Sequence, residues 1–177
     1  MTDHLRILGI SGSLQASSTN SALLRVARAH APAGVEVGVY DDLVHIPPFS
    51  PEIEPAPETV VALRDVVLAS DGLLFATPEY AHGLPGVLKN ALDWLVGSGE
   101  IYGKRVVILA AAPSAERARH ARADLERTLR AQGAQVLASA TVAVPTSARG
   151  READDPGIVA AVQDGLAALT GAPVNAG

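Results

Sequence analysis

A short apolar run followed by a longer stretch with apolar residues at helical spacing recurs five times along this chain. Leu5 to Ile10 is apolar and bounded by a polar turn, the pattern of a buried strand. Asn20 to His30 then sets Leu23, Leu24, Val26 and Ala27 on one helical face. Val35, Val37 and Val39 alternate as in a strand, and Glu58 to Ala69 repeats Val61, Leu63, Val66, Val67 and Leu68 at helical spacing. The same reading pairs a strand over Gly72–Ala76 with a helix over Pro85–Val96, and a strand over Val106–Ala111 with a helix over Glu116–Ala131. A last strand over Val136–Val144 leads to a helix over Pro156–Leu169. Five such units predict right-handed crossovers and a three-layer, doubly wound α/β fold with a five-stranded parallel sheet covered on both faces. A sheet of this kind carries its ligand crevice at the carboxyl ends of its strands, where the strand order reverses. The loops after Ile10, Ala76 and Ala112 are therefore the ones to inspect. Asp41–Pro57, rich in Pro, and Thr146–Asp155, with Gly and charge, read as irregular segments. No repeat or break divides the chain, so residues 1–177 read as one domain with 171–177 as a flexible tail.

Composition removes several classes of function. A net charge of −5 leaves no basic field for nucleic acid. Cys is absent, which excludes disulfides, thiolate metal sites and cysteine nucleophiles and fits a reducing, cytoplasmic setting. No run is long and apolar enough to span a membrane, and the start lacks a basic region followed by an apolar one. The five histidines, at 4, 30, 45, 82 and 120, show no metal-ligand spacing, so no metal is expected. A GxSxG elbow is missing, which argues against Ser–His–Asp hydrolysis.

The loop after the first strand, Ser11 to Asn20, is neither a GxxxxGK[ST] phosphate loop nor a GxGxxG fingerprint. It offers four serines, a threonine, an asparagine and a glutamine in ten residues. Free N–H groups at a helix start, with hydroxyls beside them, suit a terminal phosphate monoester; plain capping of the helix by Ser18 to Asn20 is the competing reading. After the third strand, Pro78 and Pro85 restrict the chain while Gly83 opens conformations other residues avoid. A stiff loop carrying Tyr80 and His82 at the sheet edge could hold a planar ring, or could be a simple strand–helix connection. His82 alone does not argue for catalysis, and Trp94 reads as core or subunit interface rather than ligand contact.

SGSLQASSTN after the first strand and TPEYAHGLPGVLKNALDWL after the third resemble the NADPH-dependent FMN reductase family, which comprises flavodoxin-like quinone, chromate and azo-dye reductases. DDLVHIPPFSPEIE is similar to that family's irregular loop after the second strand. The resemblance implies a flavodoxin-like fold, FMN as cofactor, NADPH or NADH as co-substrate, and a quinone or other small electron acceptor. It implies flavin-based chemistry with no catalytic side chain, since the cofactor carries the hard step. The phosphate would lie on Ser13, Ser18, Thr19 and Asn20, with Ser11 beside them and Gln15 where the family usually has Arg. The ring would lie on Pro78, Glu79 and Tyr80, with Ala81, His82 and Gly83 next to it and Ser114 contributing from the loop after the fourth strand. Glu79 is either a surface carboxylate or a contact to a partner subunit.

Three departures from the family weaken the expected site. Gln15 removes a cation, a loss of about 1–3 kcal/mol or one to two decades in affinity. Ala81 stands where Asn is usual, and Ala111-Ala112-Pro113 is bulkier and stiffer than the Gly and Ser expected there. Arg117, Arg119 and Arg149 are candidate cations for a nicotinamide 2′-phosphate. The resemblance further implies a homodimer or homotetramer, with Pro47–Glu54 and the helix of Trp94 as interface candidates. The alternatives are a flavin-binding electron carrier, or a non-catalytic flavodoxin-like interaction protein with weakened FMN affinity.

Overall fold

In the computed structural model, residues 4–114 and 116–171 are described. Strands β1 (Leu5–Ser11), β2 (Val35–Tyr40), β3 (Gly72–Ala76), β4 (Arg105–Ala112) and β5 (Gln135–Ala143) form one sheet in the order β2-β1-β3-β4-β5, and every pair is parallel. The helices are α1 (Thr19–Ala29), α2 (Glu58–Ala69), α3 (Gly86–Trp94), α4 (Arg119–Ala131) and α5 (Pro156–Thr170). The predicted three-layer, doubly wound fold is what forms, in the flavodoxin-type strand order. The expected tail lies outside the described residues except for Gly171, which ends α5 in the left-handed conformation (φ 74).

Strand residues alternate between two cores, as the two-residue period requires. Leu73, Phe75, Val106 and Ile108 face Val60 and Leu63 of α2, Leu88 and Leu92 of α3, and Leu125 and Leu129 of α4. Leu74, Val107 and Leu109 face the other way, against Leu23 and Leu24 of α1 and Ile158, Val162 and Leu166 of α5. β3 is buried along its whole length, which explains why it reads as an unbroken apolar run. Phe75 is 0% exposed, and truncating it to Ala would cost about 3–5 kcal/mol.

Most predicted boundaries fall within a residue or two of the observed ones; α4 does not. It starts at Arg119 rather than Glu116, because Ala118 adopts a left-handed backbone (φ 62) that a helix cannot continue through. Within Asp41–Pro57 only Asp42–His45 is regular, as a single 3-10 turn. Asn90 of α3 ties that segment down: its Oδ1 accepts from the Phe49 N–H (2.8 Å) and its Nδ2 donates to the Pro47 carbonyl (2.9 Å). Trp94 is core, 3% exposed, with Nε1 donating to the Pro47 carbonyl (2.8 Å) and its ring edge-on to Phe49 at 5.1 Å. Among the described residues no helix is long and apolar enough to cross a membrane.

Candidate functional site

The chain runs from β1 outward to β2 and then back across β1 to β3, so the strand order reverses between β1 and β3 and their carboxyl-end loops meet. Gly12 makes that meeting close. Its N–H donates to the Ala76 carbonyl (2.8 Å), and a Cβ there would lie 3.1 Å from Leu88, 3.3 Å from Pro78 and 3.3 Å from Pro85. A side chain there would require these three neighbours to give way slightly.

Hydroxyls then build the turn after β1. Ser13 Oγ accepts from the Gln15 N–H (3.3 Å), the Ser18 N–H donates to the Gln15 carbonyl (2.9 Å), and Ser18 Oγ caps α1 by accepting from the Asn20 N–H (3.2 Å). Ser18 therefore caps the helix, as the competing reading has it, and also lines the cavity described below. The N–H groups of Ser17 and Thr19 find no acceptor among the described residues, and the first turn of α1 holds no acidic side chain. Beyond the Ser18 cap, the first turn of this helix thus leaves N–H groups free for a ligand. Asn20 is 3% exposed; its Oδ1 accepts from the Ala111 N–H (2.9 Å) and so ties α1 to β4.

The loop after β3 is shaped by a tight turn. The Tyr80 N–H donates to the Gly83 carbonyl (3.2 Å) and the Gly83 N–H to the Tyr80 carbonyl (2.9 Å), with Ala81 (φ 48) and His82 (φ 60) between them. Two central residues with positive φ make the mirror-image turn favoured in hairpins. The left-handed positions thus fall on Ala81 and His82, not on Gly83 as expected. Glu79 is engaged within the chain rather than left as a free surface carboxylate. Its Oε2 accepts from the N–H groups of His120 (2.8 Å) and Ala121 (3.1 Å), capping α4, whose own cap residue Ala118 offers no side chain for the purpose. Its Oε1 lies 3.5 Å from His82 Nδ1, and the His82 and His120 rings meet edge-on at 5.2 Å. Burial pushes the Glu79 carboxyl up, but the Ala121 and His120 amides, with the two imidazoles, outweigh it and hold it below the usual carboxylate range.

Between these loops opens a cavity of about 480 Å³. Of the predicted residues, Ser13, Gln15, Ser18, Thr19, Asn20, Pro78, Glu79 and Tyr80 line it. Ser11, Ala81, His82, Gly83 and Ser114 do not. Ser11 Oγ is turned to Ser21 Oγ (2.9 Å) and borders a separate depression with Arg25 and Tyr40. The Ser114 hydroxyl bonds to the Glu116 carboxylate and holds that exposed group's pKa down. Ala111, Ala112 and Pro113, read as bulkier and stiffer than the family's Gly and Ser, form one wall. The loop after β5 also reaches the cavity, with Arg149, Gly150 and Glu152, and Arg117 joins it from the loop after β4, whereas Arg119 stays outside. The charge and glycine of Thr146–Asp155 were the available signal for this fourth contribution. Among the described residues no cluster of His, Cys, Asp or Glu could hold a metal.

A family model described as NADPH-dependent FMN reductase matches residues 5–149. An NAD(P)H-dependent FMN reductase of Pseudomonas aeruginosa is 38% identical over 133 residues, covering 73% of this chain and 71% of that protein. A quinone reductase of Escherichia coli is 35% identical over 113 residues, covering 61% of this chain and 60% of that protein. Among solved structures, a flavoenzyme NAD(P)H:(acceptor) oxidoreductase from Paracoccus denitrificans superimposes with a TM-score of 0.77 over 94% of this chain and 98% of that one, at 23% identity. That likeness makes the fold flavodoxin-like.

Proposed function

The chain belongs to the NADPH-dependent FMN reductase family, and from that premise we propose that it is an FMN-dependent oxidoreductase, taking hydride from NADPH or NADH and reducing a quinone or another small acceptor. One observation carries the reading. The start of α1, with the Ser17 and Thr19 N–H groups unclaimed, opens into the cavity whose opposite lip is the Pro78–Tyr80 loop.

The donor set fits the cofactor. Helix N–H groups and the hydroxyls of Ser13, Ser17, Ser18 and Thr19 suit a phosphate monoester, since they donate to a charged acceptor at about 1.5–3 kcal/mol per good contact. Tyr80, 55% exposed, and the rigid Pro78 give a planar ring a surface to lie against. FMN, when bound, supplies the two-electron chemistry itself. The protein's part is positional. Ser18 fixes the start of α1 and leaves the neighbouring Ser17 and Thr19 amides free to donate, while Glu79 ties the Pro78–Tyr80 loop to α4. No acid, base or nucleophile is asked of the chain. The same reading takes it as a homodimer or homotetramer, which would cover the exposed Phe49 and Ile53 beside Trp94.

Titrating the flavin-free chain with FMN, and then adding NADPH or NADH without air, tests this proposal. The expected result is a yellow protein that bleaches with one of the two nucleotides and recolours on adding a quinone. A chain that stays colourless with excess FMN overturns it, and a yellow one that neither nucleotide bleaches identifies a carrier instead.

A further inference from the structure

Only two of the residues lining the cavity carry positive charge, Arg117 and Arg149, and neither lies in the turn after β1. Two carboxylates line it as well. Glu79 is engaged by the α4 amides, and Glu152, 8% exposed, accepts from the Gly150 N–H through Oε1 (3.0 Å). Among the described residues no hydrogen bond or ion pair within the protein takes either guanidinium.

The backbone around both arginines is nonetheless fixed. The Arg117 carbonyl accepts from Thr141 Oγ1 (2.9 Å), which anchors the loop after β4 to β5. Arg149 follows the 3-10 turn Thr146–Ala148 and precedes Gly150, whose positive φ of 79 lets its N–H turn back to Glu152. The short helix Glu152–Asp154 packs on α1, so the loop carrying Arg149 is held beside the start of that helix. An anion placed there would meet helix amides and hydroxyls from one side and a planar, permanently charged fork from the other. Without that fork, the buried Glu152 carboxylate would oppose a dianion in the same cavity.

We propose that Arg149, with Arg117, supplies the counter-charge for a phosphate monoester bound in this cavity, charge that the turn after β1 lacks. The assignment rests on the flavin reading above. Two ligands bear the required group, FMN at its 5′ end and NADPH at its 2′ position.

The flavin-free full chain, wild type and Arg149→Gln, is titrated with FMN and with riboflavin by flavin fluorescence, and KM is measured for NADPH and NADH. Arg149→Gln is expected to weaken FMN about 10-fold or more, as loss of one charge-assisted contact does, and to leave riboflavin within about 2-fold; adding Arg117→Gln extends the FMN loss. If the monoester belongs to the nicotinamide nucleotide, the KM for NADPH rises about 10-fold while FMN affinity and the KM for NADH stay. Equal losses for FMN and riboflavin, or no change in any of the four, overturn the proposal alone. A wild-type chain that binds neither flavin overturns the flavin reading and takes this assignment with it.

Discussion

The turn after β1 and the loop after β3 lie side by side at the switch point, yet they are held by opposite means. The hydrogen bonds that shape Ser13–Ser18 join residues close in sequence, only Asn20 reaching a distant partner, the Ala111 N–H, and no residue of that turn has a positive φ. The loop after β3 instead places two non-glycine residues, Ala81 and His82, in the left-handed region and depends on a carboxylate bonded to amides 41 and 42 residues further on. The first is shaped mainly by its own donors and acceptors; the second adds to its local Tyr80–Gly83 pair an anchor that exists only once α4 has docked. The phosphate side of the proposed site should therefore survive damage elsewhere in the fold, and the ring side should not.

Removing Glu79 tests that contrast with the largest expected effect. Glu79→Ala leaves two N–H groups of α4 without their charged acceptor, and the expected loss is about 2–3 kcal/mol in urea denaturation. Its pH dependence has a definite sign. Because the folded carboxyl is held below its ordinary range, its contribution is complete above the unfolded pKa and fades as pH falls through the depressed folded value. Glu79→Gln keeps an acceptor but cannot ionise, so its stability should fall less than that of wild type on acidification. Ser18→Ala is the counterpart in the first turn. It removes one local cap, about 1 kcal/mol, and should also loosen FMN in a fluorescence titration. Equal stability losses in the two alanine variants would erase the distinction between the loops.

What could be read from the residues follows the same division. Most strands and helices were legible because each buries a face with its own period, as Val35, Val37 and Val39 do on one side of β2, whereas β3 was legible as an unbroken apolar run. Ser18 was legible because a capping hydroxyl acts within two residues of itself. The late start of α4 was not, since nothing about Ala118 announces a left-handed backbone. Nor was the partner of Glu79, whose N–H donors lie on another element. Ser11 reads as one more donor in a hydroxyl-rich run, and only the turn of α1 brings Ser21 to it. Glu152 went unassigned, and Arg149 was read only as a candidate cation for a nicotinamide 2′-phosphate, because β5 is an edge strand two places from the reversal; the loop behind it reaches the cavity by folding onto α1.

The smallest expected effect has the most telling sign. An alanine at φ 48 carries the cost of its Cβ against the following carbonyl, about 1 kcal/mol, and glycine does not. Ala81→Gly should therefore raise stability by about 0.5 kcal/mol after the greater freedom of glycine in the unfolded chain is set against it. Ala16→Gly, in the neighbouring turn where no φ is positive, meets only the entropic cost and should lower stability by about 0.5–1 kcal/mol. Opposite signs from one substitution in two adjacent loops would locate the strain in Tyr80–Gly83. A loss in both would mean that the turn beside Tyr80 relaxes in solution and that its shape is not fixed before a ligand arrives.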